Sequence, residues 1–178
     1  MILTMIKRLV FFLSLVIIAG CTNAQNKNDG TIAHYRILKP DSTFTSWTDL
    51  KKGEPAMLIY FGTDCPHCQK LTMEMTQQMN VFKNIQIVMV TFTRTNYPWM
   101  GMIKNFNRDY NLPKYKNIVM GTEYPEYLAY GFYPVQKYYA VQTTPYIAIY
   151  NRKGKLSKAF TKEPKIEDLA AAVKKVVL

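Results

Sequence analysis

Met57-Leu-Ile-Tyr-Phe-Gly-Thr-Asp-Cys65-Pro-His-Cys68-Gln-Lys-Leu-Thr-Met73 is the stretch that decides the fold. Its first five residues are apolar and predict a buried strand, the next three form a polar turn, and the rest predict an amphipathic helix. A strand that passes through a short turn into a helix is typical of an α/β unit. Two cysteines separated by two residues at that junction indicate a redox motif rather than a metal site.

The position of Cys65 at the predicted helix start suits it to thiol chemistry. A thiolate, not a thiol, attacks a disulfide, and a helix N-terminus favours the thiolate. Pro66 fits the first helical turn because its nitrogen has no hydrogen to donate. Cys68 lies inside that turn, so we expect Cys65 to attack and Cys68 to resolve. His67 can donate a hydrogen bond or a charge to the thiolate, which favours the reduced protein and predicts an oxidising motif.

Other cysteine chemistries fit the sequence poorly. A structural zinc ion takes four ligands, usually in two spaced pairs, whereas the only histidine besides His67 is His34 and the third cysteine is Cys21. We therefore expect no metal site and no cofactor. A protease nucleophile fits still less well, because a second cysteine two residues away would trap it as a disulfide. A peroxidase would need a lone reactive cysteine in another loop.

The first 20 residues predict an export signal. Lys7 and Arg8 precede an apolar run at 9–19, which is too short for the about 20 residues that span a bilayer. The sequence Ala19-Gly20-Cys21 resembles the signal of bacterial lipoproteins, which implies cleavage before Cys21 and lipid attachment to that residue. In an ordinary signal peptide Cys21 would instead be a spare thiol.

This resemblance divides the chain into three parts. Residues 1–20 are the predicted signal, residues 21–33 the lipidated N-terminus with a flexible polar tether, and residues 34–178 one domain. Thr22, rather than an aspartate, follows the lipidated position, which by resemblance implies the outer membrane rather than the inner one. We expect the domain to face the periplasm, where disulfides form and persist.

The chain is strongly basic, and its charge bears on possible partners. The formal net charge is +11, and removal of Lys7 and Arg8 with the signal leaves +9. Such a charge favours anionic surfaces at long range. The lysines form no stripe in the sequence and accompany no nucleic-acid-binding motif, so we expect no nucleic-acid partner. Contact with anionic lipid near the anchor and a dispersed, solvated surface are both left open.

Hydrophobic patterns predict the remaining elements. Strands are expected at residues 85–92, 118–120, 146–150 and 155–160. A turn and a short helix, capped by Thr45 or Ser46, are expected at residues 44–50. Helices are expected at residues 66–79, 99–110, 124–131, 135–139 and 166–177. A hairpin turn at 151–154 joins the last two strands. Strands that alternate with helices predict an α/β sheet, to which the hairpin adds an antiparallel edge.

A second feature joins the motif far along the chain. Pro145 precedes a strand, where its missing N–H is tolerated. With the motif, Thr144-Pro145-Tyr-Ile-Ala-Ile149 and the Lys153-Gly154 hairpin make the chain resemble the thioredoxin superfamily from about residue 44 onward. The framework resembles TlpA- and ResA-like lipoprotein oxidoreductases, and Cys-Pro-His-Cys resembles the DsbA motif. The resemblance implies a thioredoxin-like α/β fold: a central mixed sheet flanked by helices, with an extra strand–helix insertion before a cis-proline.

The resemblance also implies roles for individual residues. Pro145 would be the cis-proline, and Thr144 would offer its backbone to a bound client strand. Two positions depart from the pattern. Ile59 stands where relatives often carry a buried acid, six residues before the first cysteine, and Asp64 stands where a tryptophan is common. A carboxylate beside Cys65 would oppose the thiolate.

These observations predict a membrane-anchored periplasmic thiol–disulfide oxidoreductase. Its partners would be protein clients with cysteines or disulfides and a redox protein that recycles the Cys65–Cys68 pair. The direction is open, because the motif favours an oxidase or isomerase and the framework favours a reductase. The alternative is a non-enzymatic copper-handling or client-binding protein on the same fold, although the ten methionines form no stripe typical of a copper site.

Overall fold

The computed structural model describes residues 30–93, 99–123 and 133–178, which contain seven strands and five α-helices. The strands are β1 (Arg36–Leu38), β2 (Phe44–Ser46), β3 (Ala56–Phe61), β4 (Gln86–Thr91), β5 (Ile118–Glu123), β6 (Tyr146–Tyr150) and β7 (Leu156–Phe160). The helices are α1 (Pro66–Gln77), α2 (Met79–Phe82), α3 (Trp99–Asp109), α4 (Pro134–Tyr138) and α5 (Ile166–Val177). Two short 3₁₀ turns lie at Trp47–Asp49 and Leu112–Lys114.

The strands form one mixed sheet in the order β2-β1-β5-β4-β3-β6-β7. The three central strands β3, β4 and β5 are parallel, and the outer strands pair antiparallel. All six residues of β3 are buried, as expected for a central strand that is covered on both faces.

Each face of the sheet has its own core. Met57, Ile59 and Phe61 of β3 pack with residues of α1, α3 and α5 on one face, which we call the motif face. Leu58 and Tyr60 alternate to the other face, where they pack with Tyr35, Val135, Tyr139, Tyr146 and Tyr150. We call this second face the tyrosine face, because its core carries most of the buried tyrosines.

Most predicted elements have the expected type, with shifts of a few residues at their ends. The helix over 66–79 ends at Gln77, where a break separates α2. The strand expected at 118–120 continues to Glu123. The helix expected at 124–131 lies outside the described residues. The predicted mixed sheet with flanking helices and a strand–helix segment before Pro145 is confirmed.

The turn and short helix expected at residues 44–50 are confirmed only in their second half, where Ser46 caps the 3₁₀ turn, and neither β1 nor β2 was predicted. Residues 44–50 begin with β2, whose Phe44 pairs with Leu38 of β1, before a single 3₁₀ turn follows. The partner strand β1 is only three residues long, so its sequence carries no alternation to detect. Long-range pairing therefore decides the conformation here rather than local pattern. Across the described ranges, no helix has the length and apolar character needed to cross a membrane.

Candidate redox site

The motif lies at the carboxyl end of β3, where the chain turns into α1. β3 ends at Phe61, and Cys65 takes an extended conformation as the N-cap of α1 with Pro66 in the first turn. Cys65 Sγ accepts a hydrogen bond from the backbone N–H of Cys68, at 3.3 Å. A helix N-terminus leaves such N–H groups without partners in the helix. The backbone N–H of Cys68 thus points at Cys65 Sγ, where it would stabilise a thiolate.

The two cysteines differ in exposure and in proton affinity. Both are free thiols; Cys65 is half-buried, whereas Cys68 is 1% exposed. Burial, followed by the hydrogen bond to Cys65, raises the pKa of the Cys68 thiol to about 12. Cys68 is therefore protonated in the reduced protein at neutral pH. The geometry leaves Cys65 as the sulfur that a partner can reach.

A second loop meets the motif from a distant part of the chain. The peptide bond between Thr144 and Pro145 is cis, and β6 begins at the next residue. The Cys65 thiol donates to the carbonyl oxygen of Thr144 at 3.6 Å, which is within reach for a sulfur contact. The structure thus brings together the two constellations that the sequence singled out, although 79 residues separate these partners.

His67 is engaged on the outside of the helix. Its side chain is 69% exposed, and its Nδ1 lies 2.5 Å from Oε2 of Glu163. Lys70 Nζ donates to the other oxygen of that carboxylate at 2.9 Å. The hydrogen bonds from Lys70 first, and then from His67, lower the pKa of Glu163. Glu163 therefore stays ionised near neutral pH, and its carboxylate fixes the position of the His67 imidazole through the contact with Nδ1.

The loop after β7 also touches the cis-proline loop. The hydroxyl of Thr143 donates to the carbonyl oxygen of Thr161 at 3.0 Å. Glu163 follows two residues later, so one short segment contacts both α1 and the cis-proline loop. The sequence does not reveal this segment, because no spacing relates residue 163 to residue 67. Glu163 comes near His67 only in the fold, where the short link between β7 and α5 passes beside α1.

The position beneath the motif is apolar. Ile59 is 1% exposed and belongs to the same core cluster as Cys68 and Leu71. The departure noted in the sequence thus places a branched alkyl group where an acid would be expected. This finding removes a direct proton relay through residue 59.

A buried acid is present on the opposite face. Glu123 is 2% exposed, and its Oε2 accepts the backbone N–H of Val135 at 2.7 Å. Burial raises the pKa of Glu123 to about 7. Its side chain interacts with the buried hydroxyl of Tyr60, although neither Oε1 nor that hydroxyl makes a hydrogen bond of ordinary geometry among the described residues. Burial, followed by the charge of Glu123, raises the pKa of Tyr60. Sequence reasoning missed Glu123 because β5 was expected to end before it.

Within residues 30–93, 99–123 and 133–178, no three histidine, cysteine, aspartate or glutamate side chains gather around a common point. Cys21 lies outside these ranges, so its lipidation stays a prediction.

The comparisons with known proteins place the chain in a family. The thioredoxin-like domain profile matches residues 50–176, and the chain therefore belongs to the thioredoxin-like family. No curated protein matches the sequence. The predicted resemblance to the thioredoxin superfamily is confirmed.

Solved structures share the fold at low sequence identity. A secreted disulfide oxidoreductase of Mycobacterium tuberculosis, described as homologous to E. coli DsbE, is 16% identical over 80% of this chain and 96% of that one, with a TM-score of 0.62. The thioredoxin domain of a Bacteroides vulgatus thiol-disulfide oxidoreductase is 20% identical over 84% and 97%, with a TM-score of 0.63. A thiol:disulfide interchange protein of Chlorobium tepidum is 15% identical over 83% and 96%, with a TM-score of 0.61.

Proposed function

We propose that this protein is a thiol–disulfide oxidoreductase that exchanges disulfides with protein clients through Cys65 and Cys68. The observation that carries the proposal is the half-buried sulfur of Cys65, which sits at a helix N-terminus and contacts Thr144 of the cis-proline loop while Cys68 lies buried behind it. The same family and fold occur in proteins described as disulfide oxidoreductases.

In the reducing direction, the Cys65 thiolate attacks one sulfur of a client disulfide. A Cys65–client mixed disulfide forms, and the second client sulfur leaves as a thiolate that takes up a proton. Cys68 then loses its proton and attacks the Cys65 sulfur. The Cys65–Cys68 disulfide forms, and the client's remaining thiolate departs. The oxidising direction is the reverse sequence, so the client loses the two electrons that the motif gains.

Thr144 and Pro145 would hold the client beside the reacting sulfur. The carbonyl of Thr144 already faces Cys65, so an extended client segment laid along this loop would bring its own sulfur to the same place. Backbone pairing of this kind is a general way to bind extended peptides without a fixed sequence. Pro66 and His67 would tune the thiolate rather than contact the client backbone.

The proposal includes a location and a recycling partner. Cleavage before Cys21 and lipidation of that residue would anchor the domain, through the tether at 21–33, to the periplasmic side of a membrane, with the outer membrane favoured. A second redox protein would return Cys65–Cys68 to its working state. Labelling of growing cells with radioactive palmitate tests the anchor, because Cys21→Ser should remove the label and Cys65→Ser should not.

A trapping experiment tests the exchange reaction. Cys68→Ala leaves Cys65 without its resolving partner, so mixed disulfides with clients should accumulate in cells and disappear on reduction. Cys65→Ala is the matched control and should trap none. If both variants captured the same proteins, the assignment of Cys65 as the attacking thiol would be wrong.

Titration with glutathione determines the direction of exchange. A potential near −270 mV, in the range of thioredoxin, would exclude the oxidase version and support the reductase version. A potential well above that value would support an oxidase or isomerase.

A further inference from the structure

Basic side chains gather at one end of the sheet, opposite the motif. Lys51 and Lys52 lie in the loop before β3, Lys83 lies before β4, and Lys116 lies before β5; all four are exposed. Because β3, β4 and β5 are parallel, the loops that precede them share one end of the sheet. Residues that are scattered in the sequence are therefore neighbours in the fold.

The hairpin between β6 and β7 adds further cations to the same end. β6 runs antiparallel to β3, and its last residue, Tyr150, pairs with the first residue of β3. The hairpin that follows carries Arg152, Lys153 and Lys155, all exposed. We call the exposed lysine and arginine side chains of these four loops the basic pole.

Few acidic groups offset the basic pole. Glu54 lies 3.7 Å from Lys51, and Asp49 is engaged by the backbone N–H of Ser46 and the hydroxyl of Thr45. The seven named cations of these loops thus outnumber the carboxylates of Asp49 and Glu54, and the loops are positive on balance. At the motif end, by contrast, Lys70 is paired with Glu163, which also contacts His67.

Exposed apolar side chains lie within the same surface. Trp47 is 39% exposed and Leu156 is 37% exposed. Trp47 lines a cavity of about 570 Å³ with Ile32 and Leu50, and residues 51–54 and 150–154 complete the walls. Tryptophan favours the boundary between water and lipid, and basic residues beside apolar ones are typical of surfaces that lie on anionic membranes.

The N-terminal end of the described domain lies at this pole. The carbonyl oxygen of Gly30 accepts the backbone N–H of Leu156 at 2.7 Å, so the described part of the chain begins beside the hairpin. Cys21 precedes Gly30 by nine residues, a span of roughly 30 Å at full extension. A lipid on Cys21 would therefore keep the basic pole close to the lipid headgroups. For this reason the membrane surface is the partner that we expect the pole to bind.

We propose that the basic pole docks on anionic phospholipid headgroups of the membrane to which the chain is tethered, with Trp47 and Leu156 at the interface. The inference rests on the proposed lipid attachment for the choice of occupant and is independent of the redox activity. β3 has six residues and spans roughly 20 Å. The basic pole lies at the first residue of β3 and Cys65 follows its last residue. Docking through the pole therefore places Cys65 on the side away from the membrane, where clients in solution can reach it.

Binding to vesicles tests the proposal on residues 21–178, the predicted mature chain, carrying Cys21→Ser so that no lipid is attached. The vesicles contain phosphatidylcholine alone or mixed with phosphatidylglycerol, and co-sedimentation gives the binding that depends on the anionic lipid. The test variant carries Lys52→Gln, Lys153→Gln and Lys155→Gln. The control carries Lys158→Gln, Lys162→Gln and Lys165→Gln, which are exposed, lie along β7 and near the motif end, and change the net charge equally.

Each basic residue near an anionic surface contributes about fivefold in affinity. The pole variant should therefore bind the anionic vesicles on the order of 100-fold more weakly at low salt, whereas the control should stay within about twofold of the parent protein. Equal losses in both variants would show only a general attraction of net charge and would overturn the proposal. The absence of any anionic-lipid-dependent binding would overturn it too and would favour an acidic protein partner.

Disulfide exchange measured on the same samples separates the two proposals. The parent protein and the pole variant should exchange equally with a small disulfide in solution, because the pole is remote from Cys65. Loss of exchange in every protein, with vesicle binding intact, would remove the proposed redox function and leave the docking surface standing.

Discussion

The two faces of the sheet treat polar groups in opposite ways. On the motif face, Ile59 of β3 and Cys68 of α1 belong to one buried apolar cluster. On the tyrosine face, Tyr60, the next residue of the same strand, packs in a cluster of tyrosines beside the buried Glu123. Adjacent residues of β3 thus face an apolar core on one side of the sheet and a core with buried polar groups on the other.

This difference bears on how protons reach the resolving thiol. The pKa of Cys68 is raised to about 12 by burial and by Cys65, and no described carboxylate on the motif face is buried near it. Glu123 has a suitable proton affinity but lies across the sheet. We therefore expect the proton of Cys68 to leave through solvent or through the departing client sulfur, and not through an acid beneath the motif.

Introducing an acid on the motif face should have the largest effect on stability. Ile59→Asp would place a carboxyl group in the apolar cluster, and we expect the free energy of unfolding at pH 8 to fall by about 4 kcal/mol or more. Ile59→Asn is the control, since it has a similar shape without an ionisable group. Urea unfolding at pH 5 and pH 8 checks both. Equal stability of the two variants at both pH values would mean that residue 59 does not face an apolar environment.

Removing the acid from the tyrosine face should change how stability depends on pH. Burial raises the pKa of Glu123 from 4.5 to about 7. The protonated form is favoured in the folded protein, so its contribution is fully present below pH 4.5 and is lost as pH rises through 7. The loss amounts to about 3 kcal/mol. Glu123→Gln keeps a carbonyl for the N–H of Val135 and should abolish this decline in unfolding experiments from pH 4 to 8.

Glu163→Gln is the control for that series. The pKa of Glu163 is lowered by Lys70 and His67, so its ionisation favours the folded state and the sign of its pH effect is opposite. A decline in stability that survives Glu123→Gln would assign the titration to another group.

The tyrosine hydroxyls offer a smaller and sharper comparison. Tyr60 and Tyr150 are both almost fully buried. The Tyr60 hydroxyl interacts with Glu123 but makes no hydrogen bond of ordinary geometry among the described residues, whereas that of Tyr150 lies 2.7 Å from the hydroxyl of Tyr139. Tyr60→Phe should therefore change the free energy of unfolding by well under about 1 kcal/mol, and Tyr150→Phe should lower it by about 1 kcal/mol. An equal loss in both variants, measured by urea unfolding, would contradict the assigned pairing.

Substitution of Glu163, the acid on the outside of α1, should have the smallest effect, and that effect is on the redox potential. Glu163→Gln removes a carboxylate that pairs with Lys70 and contacts His67, so the net charge beside the motif becomes more positive and the reduced protein is favoured. The redox potential measured at pH 6 should rise by roughly 15 mV, a small value because the side chains of His67 and Lys70 are exposed. Glu74→Gln is the control, since Glu74 pairs with Lys70 and not with His67. A fall in potential, or an equal rise in both variants, would show that Glu163 does not act through His67.

The sequence predicts the centre of the fold better than its margins. The strand at 57–61, the motif helix and the closing helix at 166–177 all have strong local patterns, and their positions are close to those observed. The strand β1 and the strand character of residues 44–46 depend on pairing with each other and with β5, which no local pattern records.

The same limit applies to the candidate site. Cys65, Cys68 and Pro145 are visible in the sequence because their chemistry depends on local spacing or on a strand start. Glu163 and Glu123 became visible only in the fold, since each acts on a residue more than ten positions away. The basic pole is a similar case, because parallel strand starts collect lysines that form no stripe in the sequence.

The central claim is that Cys65 is the attacking thiol and Cys68 the protonated, buried partner. Limited alkylation of the reduced, native protein with iodoacetamide at pH 7, followed by peptide mass spectrometry, tests it most directly. We predict that Cys65 is modified at least tenfold faster than Cys68, because only a thiolate reacts and Cys68 is both buried and held protonated. In urea the two rates should converge. Equal rates in the native protein, or faster modification of Cys68, would contradict the account.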